Sequence, residues 1–444
     1  MELTKDQKAY FDLIESTNTN ICLMGKPGTG KSVLTNALID NGNKSYTVAA
    51  PTGLAALNVR GRTLHSIFRI PTSHGILAPD YNKFDDSPNI VNHIKYNIRV
   101  LIIDEVSMVR ADTFDYVDRY MQYCKGNQLP FGGVQVILVG DFFQLQPVTK
   151  HEENLQLKEA GYRSPFVFSS RAFSSFKVVQ LTEVLRQKGD NKFITILNSI
   201  RNGEALPKEI VALNKRVMQP TDIRIKMCCT NKEADVINDA EMRRLPGDEF
   251  VFTAEEYGNW PAYPIEQQLR LRVGAQVMVR MNGADRPAKH RGEFKSQVVN
   301  GTLGKVVSVF KKSAVPQLNN DIAEPEEDHV VVETERGATV KIFRKSWERK
   351  RKFKNVDGKW EEETLAYYNQ MPIIPAWAIS VHKSQGQSFD KAHFDPGKIF
   401  AAGQGYVALS RIRSLDGLTL EKPVTQKSFW SNAHVKQFFN ELEN

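Results

Sequence analysis

Cysteine is scarce. The 444 residues hold four, Cys22, Cys124, Cys228 and Cys229, with no Cys-x-x-Cys pair. That spacing excludes a disulfide framework and the common zinc modules. It leaves four small apolar side chains suited to a reducing compartment. Long apolar runs are also missing: none approaches the ~18 residues of a membrane span, so no membrane partner is expected. The N-terminus, MELTKDQKAYFDL, shows neither a basic-then-apolar signal nor an Arg/Ser-rich transit pattern; a cytoplasmic home is the expectation. Internal repeats and low-complexity tracts are absent by eye, which removes solenoids and wholly disordered chains. What is there is a globular composition, 41% hydrophobic and 25% charged, of a length that suggests two to four domains. Lys and Arg number 59 against 51 Asp and Glu, a net charge of +8. Such a balance permits a polyanionic partner without requiring one.

A short apolar run from Ile21 to Met24 leads into GKPGTGKS and then VLTNALID, which has helical spacing. Strand, Gly-rich loop, helix is the context in which GxxxxGK[ST] becomes a phosphate cradle. The loop from Gly25 through Lys26, Pro27, Gly28, Thr29 and Gly30 would wrap phosphate oxygens, with the helix N-terminus adding its positive end. Lys31 would reach the β/γ-phosphates and Ser32 would ligate Mg²⁺. VLIIDEVSM supplies a second strand ending in acids. Asp104 fits the Mg²⁺-holding acid, and Glu105 the group that orients or deprotonates attacking water.

The stretch PFGGVQVILVGDFFQLQPV, residues 130–148, raises a question of its own. A buried strand ends in Asp141, two aromatics and Gln144. Ends of such strands are where α/β proteins place chemistry. Gln144 would face the γ-phosphate and attacking water, and Phe142 and Phe143 would pack the loop, the favoured reading, or present a face to a base.

Together with APTGLAA, RTLHSIF, LTEVLRQ, VHKSQGQSFD and YVALSRIR, these motifs resemble superfamily 1B helicases, in family order, over residues 3–413. The phrase FGGVQVILVGDFFQLQPV is similar to the Pif1-like branch, with RecD-like and Dda-like enzymes as near relatives. Lys26 and Gln146 depart from residues common at those places. The resemblance implies an ATP-driven DNA helicase moving 5′ to 3′ on single-stranded DNA and acting at single/double-strand junctions. ATP and Mg²⁺ are the implied cofactors. G-quadruplexes and RNA–DNA hybrids are implied as further substrates, and replication, repair and recombination as settings. A monomeric motor from a bacterium or a phage fits the length. By the same resemblance Gln7 would recognise adenine, and Gln144 would couple phosphate sensing to movement. Arg186 and Arg411 would close on the γ-phosphate. Thr52, His65, His382 and Lys383 would grip the strand. Ser384, Gln385 and Gly386 would link that grip to the nucleotide.

The expected fold is α/β, with two RecA-like P-loop cores and two insertions. Residues 1–68 and 100–185 make the first core, with 69–99 as a wedge insertion. Residues 186–299 and 371–444 make the second core, and 300–370, rich in period-2 alternation, form an inserted SH3-like β-barrel. The polar segment 313–328 reads as a mobile loop. FRKSWERKRKFK, residues 343–354, mixes basic residues with Phe343, Trp347 and Phe353, which suits single-strand stacking and suits a solvated hairpin as well. Three other readings remain. An RNA-directed motor or a translocase without strand separation would share these motifs. A P-loop kinase or switch protein would ignore nucleic acid and need neither Arg411 nor His382. A non-enzymatic recruitment module would tolerate Glu105→Gln.

Overall fold

A computed structural model describes residues 3–71, 75–81, 83–183, 190–221, 224–258, 265–281, 301–311, 327–335, 337–354 and 360–443. The chain divides into two compact units, residues 1–218 with 381–390 and 394–444, and residues 219–380 with 391–393.

The first unit is built on a six-stranded sheet, all parallel. Its strands are β1 (Asn20–Gly25), β2 (Tyr46–Ala50), β3 (Arg62–Thr63), β4 (Val100–Ile103), β5 (Gln135–Gly140) and β6 (Phe176–Leu181). They run in the order β3-β2-β4-β5-β1-β6. Parallel sheets are covered on both faces, so their strands read as unbroken apolar runs. Here Ile21, Leu23, Ile102, Ile137 and Val139 pack on one side with Ile14 of α1 (Lys5–Ser16) and Leu34 and Leu38 of α2 (Lys31–Asn41). Cys22, Met24, Leu101, Ile103 and Leu138 are equally buried. Each such side chain contributes roughly 1.5–3 kcal/mol by leaving water. All four cysteines are buried and none forms a disulfide, as their apolar settings suggest.

The remaining helices of this unit are α3 (Gly53–Asn58), α4 (Leu64–Phe68), α5 (Pro88–Asn92), α6 (Ala111–Lys125), α7 (His151–Glu159), α8 (Asn191–Asn202), α9 (Pro207–Asn214), α11 (Gln404–Ser410) and α12 (Ala433–Glu443). The expected wedge segment carries α5 and a π-helical turn, His93–Asn97. β5 begins from an unusual turn. Phe131, Gly132 and Gly133 all have positive φ, and a side chain at Gly132 would strike Lys125 and the Met121 carbonyl.

In the second unit, β7 (Ile225–Cys228) pairs in parallel with Ala378–Ser380, and α10 (Asn231–Arg244) is tied to that strand through Asn238, whose side chain bonds both the N–H and C=O of Ala378. A five-stranded antiparallel sheet takes strands Gln276–Val279, Leu303–Phe310, His329–Thr334, Thr339–Phe343 and Ile373–Pro375. Val277, Val279, Val306, Val330, Val332 and Ile342 make its core. The basic segment forms Lys345–Lys354, paired with Trp360–Gln370.

The α/β class and the RecA-like parallel sheet stand as expected. The compact units do not follow the expected domain boundaries. The β sheet also takes in strands 276–279 and 373–375, from either side of 300–370. Residues 190–218, 381–390 and 394–443, expected in the second core, fall in the unit that holds the P-loop. The reason is packing of α8, α11 and α12 on the end of β5. Most of the expected mobile loop, 313–326, lies outside the described residues.

Candidate nucleotide site

Because the strands are parallel, their C-terminal ends, and the residues after them, line one edge of the sheet. After β1 comes the P-loop, after β2 Thr52, after β4 Asp104 and Glu105, and after β5 Asp141 to Gln144. The acid and the amide that close β5 thus share an edge with the phosphate loop.

The P-loop is folded around its own lysine. Lys31 Nζ donates to the carbonyls of Gly25 (2.6 Å) and Lys26 (3.2 Å). Thr29 turns back, its hydroxyl donating to the Lys26 carbonyl at 2.8 Å. Gly28 and Gly30 have positive φ, and Gly30 caps α2. Pro27 stands at the tip and Ser32 in the first turn of α2. Gln7 is fully buried. Its Oε1 accepts from the Thr4 N–H (3.0 Å), and its Nε2 donates to the carbonyls of Thr29 (3.1 Å) and Gly30 (3.3 Å). In this state the carboxamide braces the loop, and reading adenine would take a rotation of that side chain.

Asp104 is buried at the end of β4. Burial and the neighbouring Glu105 carboxylate push its pKa up to about 7, against the Glu105 N–H and Lys31. Glu105 has φ 49°, a left-handed conformation rare outside glycine, which turns its side chain away from the strand direction. Arg411 follows α11 and is buried. Its Nε donates to the Val407 carbonyl (3.1 Å) and its Nη2 to the Ser410 hydroxyl (3.0 Å). Burial lowers its pKa, while Glu105, Tyr406 and Asp141 pull it back up, so cation and carboxylates share one neighbourhood. Gln144 is buried with its Oε1 unpartnered. A buried orphan acceptor costs about 1–3 kcal/mol, and such a group marks a place where a ligand or water belongs. Gln385 leaves both amide atoms in the same condition.

The oxygen donors fit Mg²⁺. A buried carboxyl that resists ionisation, on the sheet edge that also carries the P-loop with its Ser32, is a hard-oxygen setting of the kind this ion takes, and its charge would relieve the cost of burying Asp104. Among the described residues no cluster of three His, Cys, Asp or Glu forms an all-protein metal cage.

The structure thus gathers Gln7, the P-loop, Asp104, Glu105, Gln144 and Arg411 in one unit. Arg186 lies outside the described residues. Of the strand-gripping candidates, Thr52 caps α3 through its hydroxyl, which accepts from the Ala55 N–H at 3.2 Å. His65 sits exposed on α4. His382 is half-buried and stacks on Phe400, centroids 6.2 Å apart, and burial lowers its pKa. Lys383 and Gly386 are exposed beside it, and the Ser384 hydroxyl donates to the Val381 carbonyl at 2.8 Å.

Sequence reasoning missed three buried polar residues. Asp141 accepts from Arg201 of α8 and from Tyr406 of α11. The only signal available was the acid itself, closing an apolar strand. Phe142 and Phe143 pack as expected. They meet Phe438 (5.6 Å, edge-on) and Phe439 (5.1 Å, stacked) of α12, with Phe166, Phe168 and Phe173 completing the cluster.

Comparison with known proteins gives a consistent answer. The PIF1-like helicase family matches residues 2–209. The Saccharomyces cerevisiae ATP-dependent DNA helicase RRM3 is 30% identical over 99% of this chain, which spans 68% of that protein's length; the chain spans 59% of Mus musculus PIF1, at 32% identity. Among solved structures, Bacteroides Pif1 in complex with ADP-AlF4 is 31% identical with a TM-score of 0.82, and the alignment covers all of this chain and 97% of that one. Bacteroides Pif1 bound to single-stranded DNA is 31% identical at a TM-score of 0.71, with the same coverage. With a parallel P-loop core, polar and charged side chains gathered in the same unit, and relatives of this kind, the chain belongs to the Pif1-like helicase family.

Proposed function

We propose that this chain is an ATP-hydrolysing DNA helicase that moves 5′ to 3′ on single-stranded DNA and opens duplex at the junction. The observation that carries the reading is the single sheet edge that brings the P-loop, two consecutive acids and the orphaned Gln144 amide together with buried Arg411. Lys31 and the loop N–H groups bind the phosphates, releasing Lys31 from the carbonyls it now contacts. Ser32 and Asp104 would hold Mg²⁺, which would supply neutralisation of phosphate charge. Glu105 orients the attacking water. Gln144 offers its free carbonyl to that water and its N–H groups to the γ-phosphate. Arg411 stabilises the charge that develops there, and an arginine so placed is worth about 10³–10⁵ in rate in related NTPases.

Nucleic acid is held by residues that follow strand ends: Thr52 after β2, His65 after β3, and His382 and Lys383 after Ala378–Ser380. Thr52, His65, His382 and Lys383 suit sequence-independent backbone contacts, which a motor stepping along any sequence needs. Single-stranded DNA and junction binding also fit the Bacteroides relative bound to single-stranded DNA. Arg186 as a second phosphate-facing arginine, Gln7 as an adenine reader, action as a single copy, and G-quadruplexes and RNA–DNA hybrids as substrates belong to the same proposal.

The test uses two matched duplexes, one with a 5′ and one with a 3′ single-stranded tail, incubated with ATP and Mg²⁺. Strand separation of the 5′-tailed substrate alone is expected. Separation of the 3′-tailed one alone would overturn the polarity. ATP hydrolysis stimulated by DNA with no separation on either would replace the helicase by a translocase, and stimulation by RNA over DNA would redirect the motor.

A further inference from the structure

We propose that Tyr406 and Arg201 are positioning residues for ATP hydrolysis. Acting through the Asp141 carboxylate, they lock the loop that carries Gln144 to the helix that leads into Arg411. The proposal rests on the reading of Gln144 and Arg411 as phosphate-facing groups.

Asp141 is fully buried and its carboxylate is saturated. Oδ2 accepts from the Tyr406 hydroxyl at 2.9 Å. Oδ1 accepts from Arg201 Nη2 at 2.9 Å, and Arg201 Nε lies 3.3 Å from both oxygens. Oδ1 also accepts from the Phe143 N–H at 3.2 Å, while the Asp141 carbonyl accepts from the Gln144 N–H at 2.9 Å. The same residue therefore shapes the turn that aims Gln144 and anchors two separate helices.

Arg201 is held on its other side by an aromatic face. Its guanidinium lies 3.9 Å from the centroid of Phe143, the residue just before Gln144, and Phe143 stacks in turn on Phe439. A fork-shaped cation fixed by a carboxylate and a ring is a rigid strut, which a lysine would not reproduce. α11 meets the loop directly as well. Gly403, its N-cap at φ +75°, sits so close to the Phe143 and Gln144 carbonyls that an added Cβ would lie 2.5 and 3.0 Å from them. One helical turn on, Tyr406 bonds Asp141, and Arg411 follows the last residue of the helix. Helix and loop are thus joined at Gly403 and at Tyr406, and neither contact involves Gln144's own side chain. That is the arrangement expected of groups that hold a reacting geometry while others perform the chemistry.

The decisive variant is Tyr406→Phe, which removes one hydroxyl and keeps the ring packing. Steady-state hydrolysis is measured at saturating single-stranded DNA, with thermal melting alongside. We expect kcat to fall about tenfold or more, since misplacement on the order of 1 Å costs up to ~10²-fold. KM for ATP should stay within about twofold, and the melting temperature should stay within a few degrees. Arg201→Lys should lower kcat further. In a Gln144→Ala background, Tyr406→Phe should have little additional effect, because the group it positions is gone. A wild-type kcat in Tyr406→Phe overturns the inference. So does a defect that multiplies in full with Gln144→Ala, or one that merely tracks loss of folded protein. If Gln144→Ala alone hydrolyses ATP at the wild-type rate, the phosphate-facing reading itself fails, and that result is distinct from the others.

Discussion

Lys31 is the side chain whose loss should be felt most cleanly. Its ammonium donates to carbonyls of its own loop, so Lys31→Ala should fold normally while ATP hydrolysis falls about 10²–10³-fold, as when a preorganised charge donor is removed; hydrolysis rates with circular dichroism check both halves. Asp141 makes the pH-dependent case. Burial alone would raise its pKa, but the Arg201 and Lys31 charges and the Arg201 and Tyr406 hydrogen bonds hold it below the usual carboxylate range. A carboxyl whose folded pKa is depressed stabilises the fold above its unfolded value, ~3.9, and the gain is lost as pH falls through the folded value. Asp141→Asn should therefore cost about 3–5 kcal/mol near neutral pH by leaving a buried cation unpaired. In urea titrations that deficit should be flat from about pH 5 to 8 and shrink below about pH 4. Lys31, Asp104 and Gln144 could be read in the sequence because each ends or follows an apolar strand within a few residues. The Asp141 cluster could not, because Arg201 lies 60 and Tyr406 265 positions away, and nothing local in either segment announces a buried partner.

Elements were legible where their apolar pattern was long. β1, β4, β5 and α10 follow from their residues alone. The two strands of the five-stranded sheet that lie outside 300–370 in sequence, Gln276–Val279 and Ile373–Pro375, are four and three residues long, too short for period-2 alternation to bound them. α12 carries more than its terminal position suggests, since Phe438 touches Phe142, Phe168 and Phe173. Phe438→Ala should cost about 2–3 kcal/mol, somewhat less than for a fully enclosed phenylalanine, and Phe438→Leu about 1 kcal/mol; chemical denaturation measures both. The turn before β5 gives an independent test. Gly132 combines φ +63° with Cβ contacts of 2.5–2.8 Å to Lys125 and Met121. Gly132→Ala should lose about 1–3 kcal/mol, whereas Gly126→Ala, with φ +70° and open space around it, should lose less.

Two compact units in one chain suggest that unfolding is not a single event. Calorimetry should resolve more than one transition. A nonhydrolysable ATP analogue with Mg²⁺ should raise the one belonging to the P-loop unit by RT ln(1 + [L]/Kd), about 2.7 kcal/mol at a hundredfold excess over Kd, and leave the other in place; a uniform shift of both would contradict an assignment of the site to residues 1–218, 381–390 and 394–444. The strand order of that unit also bears on how the protein is made. β1 is completed first, yet its neighbours are β5 and β6, with Ile21 opposite Ile137 and Asn20 opposite Phe176. At about 5–20 residues per second of synthesis, the apolar strand NICLMG waits roughly six to twenty-three seconds before Gln135–Gly140, the earlier of its two partners, has been made. The strand that presents the P-loop is therefore an apolar segment left unpaired during synthesis, a liability that a chaperone would cover.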